Sequence, residues 1–157
     1  MLPYDKTVLL VLEDPSHLDR AVRYLFRAGY DRIAGYCKGG IEGWYNAGLP
    51  VESLNLLSVH KLKSALEQGE EMLILDVRSD EEWESGHIRG ARHIFVGHLE
   101  QRLSEVPKDK PVAVYCESGN RSGLAASILL RAGYPKVYSV PGSIAAWKAA
   151  GFPIVKD

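Results

Sequence analysis

The feature that most limits the fold of this sequence is an internal repeat between its two ends. Residues 23–51 (RYLFRAGYDRIAGYCKGGIEGWYNAGLPV) resemble residues 127–154 (SILLRAGYPKVYSVPGSIAAWKAAGFPI). Both copies contain Arg-Ala-Gly-Tyr, a later Trp and an Ala-Gly-x-Pro ending. Shared motifs at shared spacing favour a true repeat over a chance similarity of two strand-helix units.

Each copy has the pattern of a strand, a helix, a short strand, a glycine turn and a second helix. In the second copy these elements are predicted over Val112–Tyr115, Ser122–Arg131, Val137–Val140 and Ile144–Ala149. Strands that alternate with helices are typical of a parallel sheet in the α/β class.

Only the second copy is preceded by more material of the same kind. The patterns there predict a helix over Val59–Gln68, a strand over Met72–Val77, a helical turn over Asp80–Ser85 and a helix over Leu99–Ser104. We therefore expect residues 1–52 to form an incomplete half-unit, residues 53–57 a linker, and residues 58–157 a complete domain. The complete domain should fold without the first 52 residues.

Composition narrows the class of protein. The chain has 157 residues, of which 46% are hydrophobic and 25% charged, and its net charge is −1 with Lys and Arg scattered. These values fit a soluble globular protein and speak against a nucleic-acid or anionic-membrane partner. No apolar run approaches the ~20 residues that span a bilayer, and the first residues lack a signal-peptide layout. Two cysteines are too few for a disulfide framework, so we expect a reducing, cytoplasmic setting.

Cys116 stands where a predicted strand passes into a predicted helix. Backbone N–H groups at such a helix start converge on one small space and stabilise an anion there. A thiolate in that space should have a lowered pKa, helped by the charge of Arg121. Gly119 permits a tight turn, and Ser122 suits the helix cap, from which its hydroxyl could reach the sulfur.

Three stretches together resemble the rhodanese family of sulfurtransferases. The segment CESGNRSG at 116–123 is similar to the family's loop Cys-x-x-Gly-x-Arg-Ser. The segment LDVRSDEEWESGHIRGARHI at 75–94 is similar to Asp-x-Arg followed by Glu-aromatic-x-x-Gly-His-Ile-x-Gly-Ala. The C-terminal VYSVPGSIAAWKAAGFPI resembles the family's Gly-Gly-x-x-x-Trp region, with Ser143 in place of the second glycine. The resemblance implies a rhodanese-like parallel sheet flanked by helices.

The resemblance also implies a reaction. In such proteins the cysteine takes a sulfane sulfur from thiosulfate or a persulfide donor, becomes a persulfide, and passes the sulfur to a thiol or cyanide. Cys116 would be the nucleophile, and Arg121 would bind the anionic donor. The persulfide would lie among the backbone N–H groups of the loop, formed by Glu117, Ser118, Gly119, Asn120, Arg121 and Ser122. No organic cofactor is implied, and because His93 and His98 lack metal-ligand spacing with Cys or carboxylates, we assign no metal.

Other residues have a supporting or structural interpretation. Asp76 and Arg78 follow a predicted strand, where they could orient the loop or simply form an internal ion pair. His87 is interpreted as a turn residue bonded to backbone. Cys37 lacks a following Gly-x-Arg, so we interpret it as buried and inert, with service as an acceptor thiol as the alternative. Glu117 adds negative charge beside the pocket, which would weaken the capture of a dianionic donor.

Two other functions remain open from the sequence. One is a cysteine-dependent phosphatase or arsenate reductase, which shares this kind of loop. Four residues separate Cys116 from Arg121, one fewer than in the related phosphatases, and the smaller ring suits one sulfur atom better than a phosphate. The other is a non-catalytic interaction module, against which the intact Cys-Gly-Arg-Ser set argues.

The first copy has lost the residues of the loop. Carrying the repeat upstream places Leu12 opposite Cys116, Pro15 opposite Gly119 and His17 opposite Arg121. The half-unit resembles the stretch before the catalytic rhodanese domain in fusions with a metallo-β-lactamase-fold persulfide dioxygenase. We therefore expect a C-terminal piece of such a fusion, with a fused or partner dioxygenase domain, and possible homo-oligomerisation through the half-unit.

Overall fold

The computed structural model describes residues 3–156, which form two compact units that divide between Glu52 and Ser53. The first unit contains a two-stranded parallel sheet. Its elements are β1 (Val8–Val11), a 3₁₀ turn (Pro15–His17), α1 (Leu18–Arg27), β2 (Ile33–Cys37) and α2 (Gly40–Asn46).

The second unit is built on a five-stranded parallel sheet in the order β3-β7-β6-β4-β5. Its strands are β3 (Asn55–Leu56), β4 (Leu73–Asp76), β5 (Arg92–His93), β6 (Val112–Tyr115) and β7 (Val137–Ser139). Its helices are α3 (Val59–Glu67), α4 (Asp80–Glu84), a kinked 3₁₀ stretch (Val96–Glu105), α5 (Asn120–Arg131) and α6 (Ser143–Ala149).

Side chains from both faces of this sheet form the core of the second unit. The central strand β6 is buried at all four positions, because alternate residues of a strand point to opposite faces and both faces are covered. The face under α5 includes Leu75, Val112, Val114, Ala125 and Leu129. The face under α3 and α6 includes Val59, Leu62, Ile74, Ala113 and Ile144.

The two tryptophans of the repeat make the same hydrogen bond. The indole N–H of Trp44 donates to the carbonyl of Pro50 at 3.0 Å, and that of Trp147 donates to Pro153 at 2.9 Å. Each bond closes the turn that follows the last helix of its copy. The Trp and Pro of the repeated motif therefore have the same structural role in both units.

The first unit leaves apolar strand residues exposed. Leu9 and Val11 of β1 are 59% and 60% exposed, whereas their repeat counterparts Ala113 and Tyr115 are fully buried. In the second unit that face of the sheet is covered by side chains of α3, and residues 3–52 of the first unit contain no helix equivalent to α3. The first unit thus lacks the elements that would bury its own apolar face.

The predicted fold class, a parallel α/β sheet flanked by helices, is confirmed by the structure. Two short strands, β3 and β5, were not predicted, because two residues are too few to show a periodic pattern. β3 lies inside the segment expected to be a linker, residues 53–57, and pairs with β7 at the sheet edge. Those residues are therefore part of the second unit, while the division into a half-unit and a catalytic domain stays a prediction.

The isolated second unit should fold alone. We expect residues 53–157 to unfold cooperatively in urea, because they contain the whole five-stranded sheet and both layers of its core. Residues 58–157 lack β3 as well as Leu54 and Leu57, which pack against the two core layers. The shorter fragment should be less stable by about 1.5 to 3 kcal/mol, because it lacks two half-buried leucines.

Residues 1–52 alone serve as the comparison and should show no cooperative transition, because a fragment of this size buries too little apolar surface. An unfolded 53–157 fragment, or a cooperatively folded 1–52 fragment, would contradict this account.

Candidate active site

The candidate site lies at the carboxyl edge of the sheet, where β4 and β6 end side by side. Asp76 of β4 pairs in register with Tyr115 of β6, so the residues that follow both strands meet at this edge. Cys116 comes directly after β6, and its side chain is buried. Residues 116–121, called here the cysteine loop, connect β6 to the first turn of α5.

The backbone of the cysteine loop presents its N–H groups to the sulfur. The Gly119 N–H donates to Sγ of Cys116 at 3.1 Å. The carbonyls of Cys116 and Glu117 are held away from the sulfur, because they accept the N–H groups of Ile144 and Ala145 at 3.1 and 3.0 Å. The start of α6 thereby fixes the peptide planes so that the loop amides face inward.

Gly119 is required by this backbone. Its φ is +122°, in a region that residues with a Cβ rarely adopt. A Cβ there would also approach the backbone nitrogen of Gly142 to 3.4 Å. Any larger residue would move the N–H group that contacts the sulfur.

Two opposing effects set the pKa of Cys116. Burial is the largest single effect and works to raise the pKa of the thiol. Hydrogen bonds from the backbone N–H groups of Gly119, Ser122 and Ser118, and from the hydroxyl of Ser143, together outweigh burial and lower the pKa of Cys116 below its ordinary value. These hydrogen bonds therefore favour the thiolate form of the buried sulfur.

Ser143 is a site residue that the sequence analysis did not select. Its hydroxyl oxygen accepts the N–H of Cys116 at 3.0 Å, and the hydroxyl lies 3.7 Å from Sγ and 2.8 Å from the Val140 carbonyl. Ser143 is fully buried with φ +49°, among the described residues the one non-glycine with positive φ. The serine in place of the second motif glycine was the sequence signal for this residue.

The role expected for the Ser122 hydroxyl is wrong. That hydroxyl donates to the Gly119 carbonyl at 2.8 Å and lies 3.0 Å from the hydroxyl of Ser139. The cap of α5 is Gly119, which supplies no side-chain bond. The helix start needs no serine cap because the sulfur of Cys116 accepts its free N–H groups, including that of Ser122.

Arg121 is held by a carboxylate that the sequence analysis missed. Its Nη1 and Nη2 contact Oε2 and Oε1 of Glu82 at 2.5 and 2.6 Å, a bidentate pair. The hydrogen bonds with Glu82 raise the pKa of Arg121, and the nearby charge of Cys116 raises it further. Glu82 is the first residue of the Glu-aromatic-x-x-Gly-His motif, and that motif was the available signal.

Glu82 is fixed in place by its own helix. Its carboxylate accepts the Ser79 N–H at 3.0 Å while its N–H donates to the Ser79 hydroxyl, which makes a capping box at the start of α4. The pair with Arg121 is the main reason that the pKa of Glu82 is lowered to about 2. Glu82 therefore stays ionised, and Arg121 stays oriented by it.

Asp76 and Arg78 form a buried ion pair beneath the cysteine loop. Nη2 of Arg78 lies 2.7 Å from Oδ2 of Asp76, and Nη2 also donates to the Gly86 carbonyl at 2.9 Å. Nη1 of Arg78 lies 3.7 Å from the carboxylate of Glu117 in the loop. Asp76 and Arg78 thus form an internal ion pair, and Arg78 also lies near the loop residue Glu117. Both interpretations from the sequence, an internal pair and a contact with the loop, therefore apply to these residues.

His87 and Trp83 lie together as packing residues. Their rings stack with centroids 3.4 Å apart, and the His87 N–H donates to the Val155 carbonyl at 2.9 Å. The backbone bond is the one expected for a turn residue.

Cys37 is half-buried in the first unit, where its thiol donates to the Gly40 carbonyl at 3.3 Å.

In the first unit the loop after β1 has a different acceptor for its amides. The carboxylate of Asp14 accepts the Ser16 N–H at 2.8 Å, and this bond lowers the pKa of Asp14. Pro15, at the position of Gly119 in the repeat, has no N–H to donate. In the first unit a side-chain carboxylate thus accepts an N–H group at the start of the turn after β1.

Across residues 3–156, no cluster of three or more His, Cys, Asp or Glu side chains has the arrangement of a metal site. No helix within these residues is long and apolar enough to cross a membrane.

A profile of the Rhodanese-like domain family matches residues 58–150, which is more than half of the chain. The chain belongs to the rhodanese-like family. It is 36% identical over 102 residues to a protein of Allochromatium vinosum named sulfurtransferase, covering 65% of this chain and 95% of that protein. Two Bacillus subtilis relatives are matched over 59% and 57% of their length. The family and the Allochromatium relative support a sulfurtransferase-type function for this rhodanese-like protein.

Solved structures extend the comparison. The solution structure of the rhodanese-like domain of the Alr3790 protein of Anabaena is 34% identical with a TM-score of 0.61, covering 67% of this chain and 81% of that one. The crystal structure of a thiosulfate sulfurtransferase from Pseudomonas aeruginosa covers 98% of this chain and 33% of that one, with a TM-score of 0.60. At 23% identity, the second likeness concerns the fold alone.

The lowering of the Cys116 pKa by backbone N–H groups predicts how the rate of alkylation at Cys116 depends on pH. In a Cys37→Ser background, the rate of reaction with iodoacetamide should rise with a midpoint below the ordinary thiol value of ~8.5. Ser143→Ala should move the midpoint upward, because it removes one hydrogen bond to the thiolate.

The matched control is Ser127→Ala, on the exposed side of α5, where the hydroxyl bonds only to its own helix. It should leave the midpoint unchanged. A midpoint at or above ~8.5 in the parent protein would show that burial outweighs the amides.

Proposed function

We propose that this protein is a sulfurtransferase that carries a sulfane sulfur as a persulfide on Cys116. The donor is thiosulfate or a persulfide, and the acceptor is a thiol or cyanide. The observation that carries the proposal is the buried Sγ that accepts the Gly119 N–H at 3.1 Å at the start of α5. A buried thiolate held by backbone dipoles is nucleophilic without a neighbouring base.

The first step is attack of the Cys116 thiolate on the outer sulfur of the donor. A bond forms between Sγ and that sulfur, and the bond from the outer sulfur to the rest of the donor breaks. The leaving group, sulfite or a thiolate, departs with the electron pair. The protein then holds a persulfide, whose terminal sulfur carries the negative charge.

The loop amides suit this persulfide. The terminal sulfur extends from Sγ into the space that the N–H groups of Ser118, Gly119 and Ser122 face, so these groups stabilise its charge as they stabilise the thiolate. In the second step an acceptor thiolate or cyanide attacks the terminal sulfur, and the Cys116 thiolate is the leaving group. A lowered pKa makes Cys116 a good leaving group as well as a populated nucleophile.

The proposal also covers the cellular location of the reaction and a partner for the protein. We place the reaction in the cytoplasm, where thiols stay reduced. The likeness of the first unit to the segment before the rhodanese domain of persulfide dioxygenase fusions supports such a dioxygenase domain as a partner. Co-sedimentation with a purified persulfide dioxygenase domain tests this, and separate sedimentation of the two would count against it.

Turnover should depend on Cys116 alone. Cys116→Ser should lower thiocyanate formation from thiosulfate or cysteine persulfide with cyanide by at least about a thousandfold, because oxygen cannot carry the sulfane sulfur. The fold should persist, as serine fits the same amides.

The matched variant is Cys37→Ser, which should retain full activity. Residual turnover in Cys116→Ser would place the sulfur carrier elsewhere. Hydrolysis of an aryl phosphate, with no thiocyanate formed from either donor, would instead support the phosphatase alternative.

Exposed side chains of the first unit support association with a second copy of the chain. Leu9 and Val11 offer an apolar face, and the edge of a short parallel sheet can pair with another strand. Sedimentation velocity should show a dimer for the parent protein and a shift toward monomer for Leu9→Lys. A monomer at micromolar concentration for the parent protein would overturn this association.

A further inference from the structure

Arg78 and Arg121, the two arginines of the site, are both paired with carboxylates. Both terminal nitrogens of Arg121 contact Glu82, at 2.5 and 2.6 Å. A guanidinium binds oxyanions through either of two edges, and Glu82 occupies the Nη1–Nη2 edge of Arg121. Glu82 therefore competes with a donor anion for Arg121. Its positive charge is matched by the charge of Glu82.

Arg78 is committed in the same way. Asp76 and the Gly86 carbonyl take its Nε and Nη2, and the guanidinium is buried. Nη1 lies 3.7 Å from Glu117, too far for a strong hydrogen bond. The charge of Arg78 is thus balanced by Asp76, and the charge of Glu117 is left without a close partner of its own within residues 3–156.

Glu117 remains as an excess negative charge next to the sulfur. It directly follows Cys116 in the chain, and its side chain is 45% exposed at the surface of the site. The two guanidiniums face three carboxylates, those of Asp76, Glu82 and Glu117. With Cys116 as a thiolate, an approaching donor meets a site whose side chains are net negative.

This charge balance penalises donors in proportion to their own charge. Thiosulfate carries two negative charges, whereas the reacting group of an organic persulfide carries one at most. Coulomb repulsion from one carboxylate at ~7 Å in a water-like medium disfavours a dianion by about sevenfold and a monoanion by about threefold. The penalty on the dianion is about the square of that on the monoanion.

We propose that Glu117 and Glu82 make the site selective for organic persulfides over thiosulfate. Glu117 repels the dianion directly, and Glu82 withholds the guanidinium of Arg121 that would compensate it. This inference rests on the proposed sulfur transfer and names the class of donor for that site. Both glutamates are specificity-determining residues rather than catalytic ones.

The reaction with the favoured donor is balanced without another reagent. A persulfide RSSH and the Cys116 thiolate give RS⁻ and the Cys116 persulfide, with one S–S bond formed and one broken. The corresponding reaction of thiosulfate releases sulfite, which carries both negative charges away. The electron count is the same in the two reactions, so the difference between donors lies in approach and binding.

The test compares the rate of sulfur loading from two donors. The full-length protein is mixed with excess thiosulfate or cysteine persulfide, quenched at intervals, and the fraction carrying one extra sulfur is read by intact mass. The ratio of the two rate constants removes effects common to both donors, such as a change in the thiolate fraction of Cys116. The parent protein should load faster from cysteine persulfide.

Three substitutions sharpen the comparison. Glu117→Gln should raise the thiosulfate rate constant by roughly fivefold to tenfold and the persulfide rate constant by roughly twofold to threefold. Glu82→Gln should also shift the ratio toward thiosulfate, while the glutamine keeps the bond to Ser79 that caps α4. The control is Glu71→Gln, an exposed glutamate paired with Lys110 ahead of β4, at the opposite edge of the sheet. It removes the same charge from the chain and should leave the ratio unchanged.

The dependence of the loading rates on salt concentration provides a second test, on the protein without substitutions. Raising the ionic strength screens repulsion between partly exposed charges, so it should speed loading from thiosulfate more than loading from cysteine persulfide. Equal rates from both donors, or a ratio that neither glutamate variant nor salt changes, would overturn the selectivity while leaving sulfur transfer intact. Failure of both donors to load Cys116 in every variant would overturn the proposed sulfur transfer itself.

Discussion

The hydrogen bonds from the start of α5 to the sulfur of Cys116 are the interaction on which the rest of the site depends. Burial of Cys116 works against a thiolate, and the converging N–H groups, helped by the Ser143 hydroxyl, reverse that effect. They converge because Gly119 adopts φ +122° and because the start of α6 holds the carbonyls of Cys116 and Glu117. Two helices are thus needed to prepare one sulfur, one by donating to it and one by holding its loop.

The charged residues around the loop serve this arrangement by cancelling one another. Asp76 with Arg78, and Glu82 with Arg121, are close pairs whose geometry is fixed by further backbone bonds. Asp76 and Arg78 are buried, and a buried charge left without its partner would cost several kcal/mol, so this pair protects the fold beneath the loop. The same cancellation leaves the loop amides as the main source of positive potential at the sulfur, and the proposed effect of Glu117 on donor charge depends on this balance.

Much of this could be predicted from the sequence, for physical reasons. The repeat and the alternation of strands with helices determine a parallel sheet, and a buried run such as VAVY at 112–115 identifies its centre. Cys116, Gly119 and Arg121 are close in sequence, so their proximity needs no tertiary information. The Ser143 hydroxyl and the Glu82 carboxylate are 27 and 39 residues distant from their partners at the loop. Those contacts depend on sheet order, which local pattern does not encode, and strands of two residues leave no pattern at all.

The central claim is that Cys116 is the residue that holds the transferred sulfur, and peptide mapping tests it most directly. The full-length protein is incubated with cysteine persulfide, freed of small molecules, blocked with an alkylating reagent, digested and sequenced by mass spectrometry. Our account predicts one added sulfur on the peptide that contains Cys116, removable by dithiothreitol, and none on the peptide that contains Cys37. Added sulfur on Cys37 alone, or an unmodified Cys116 under conditions in which the protein turns over, would contradict it.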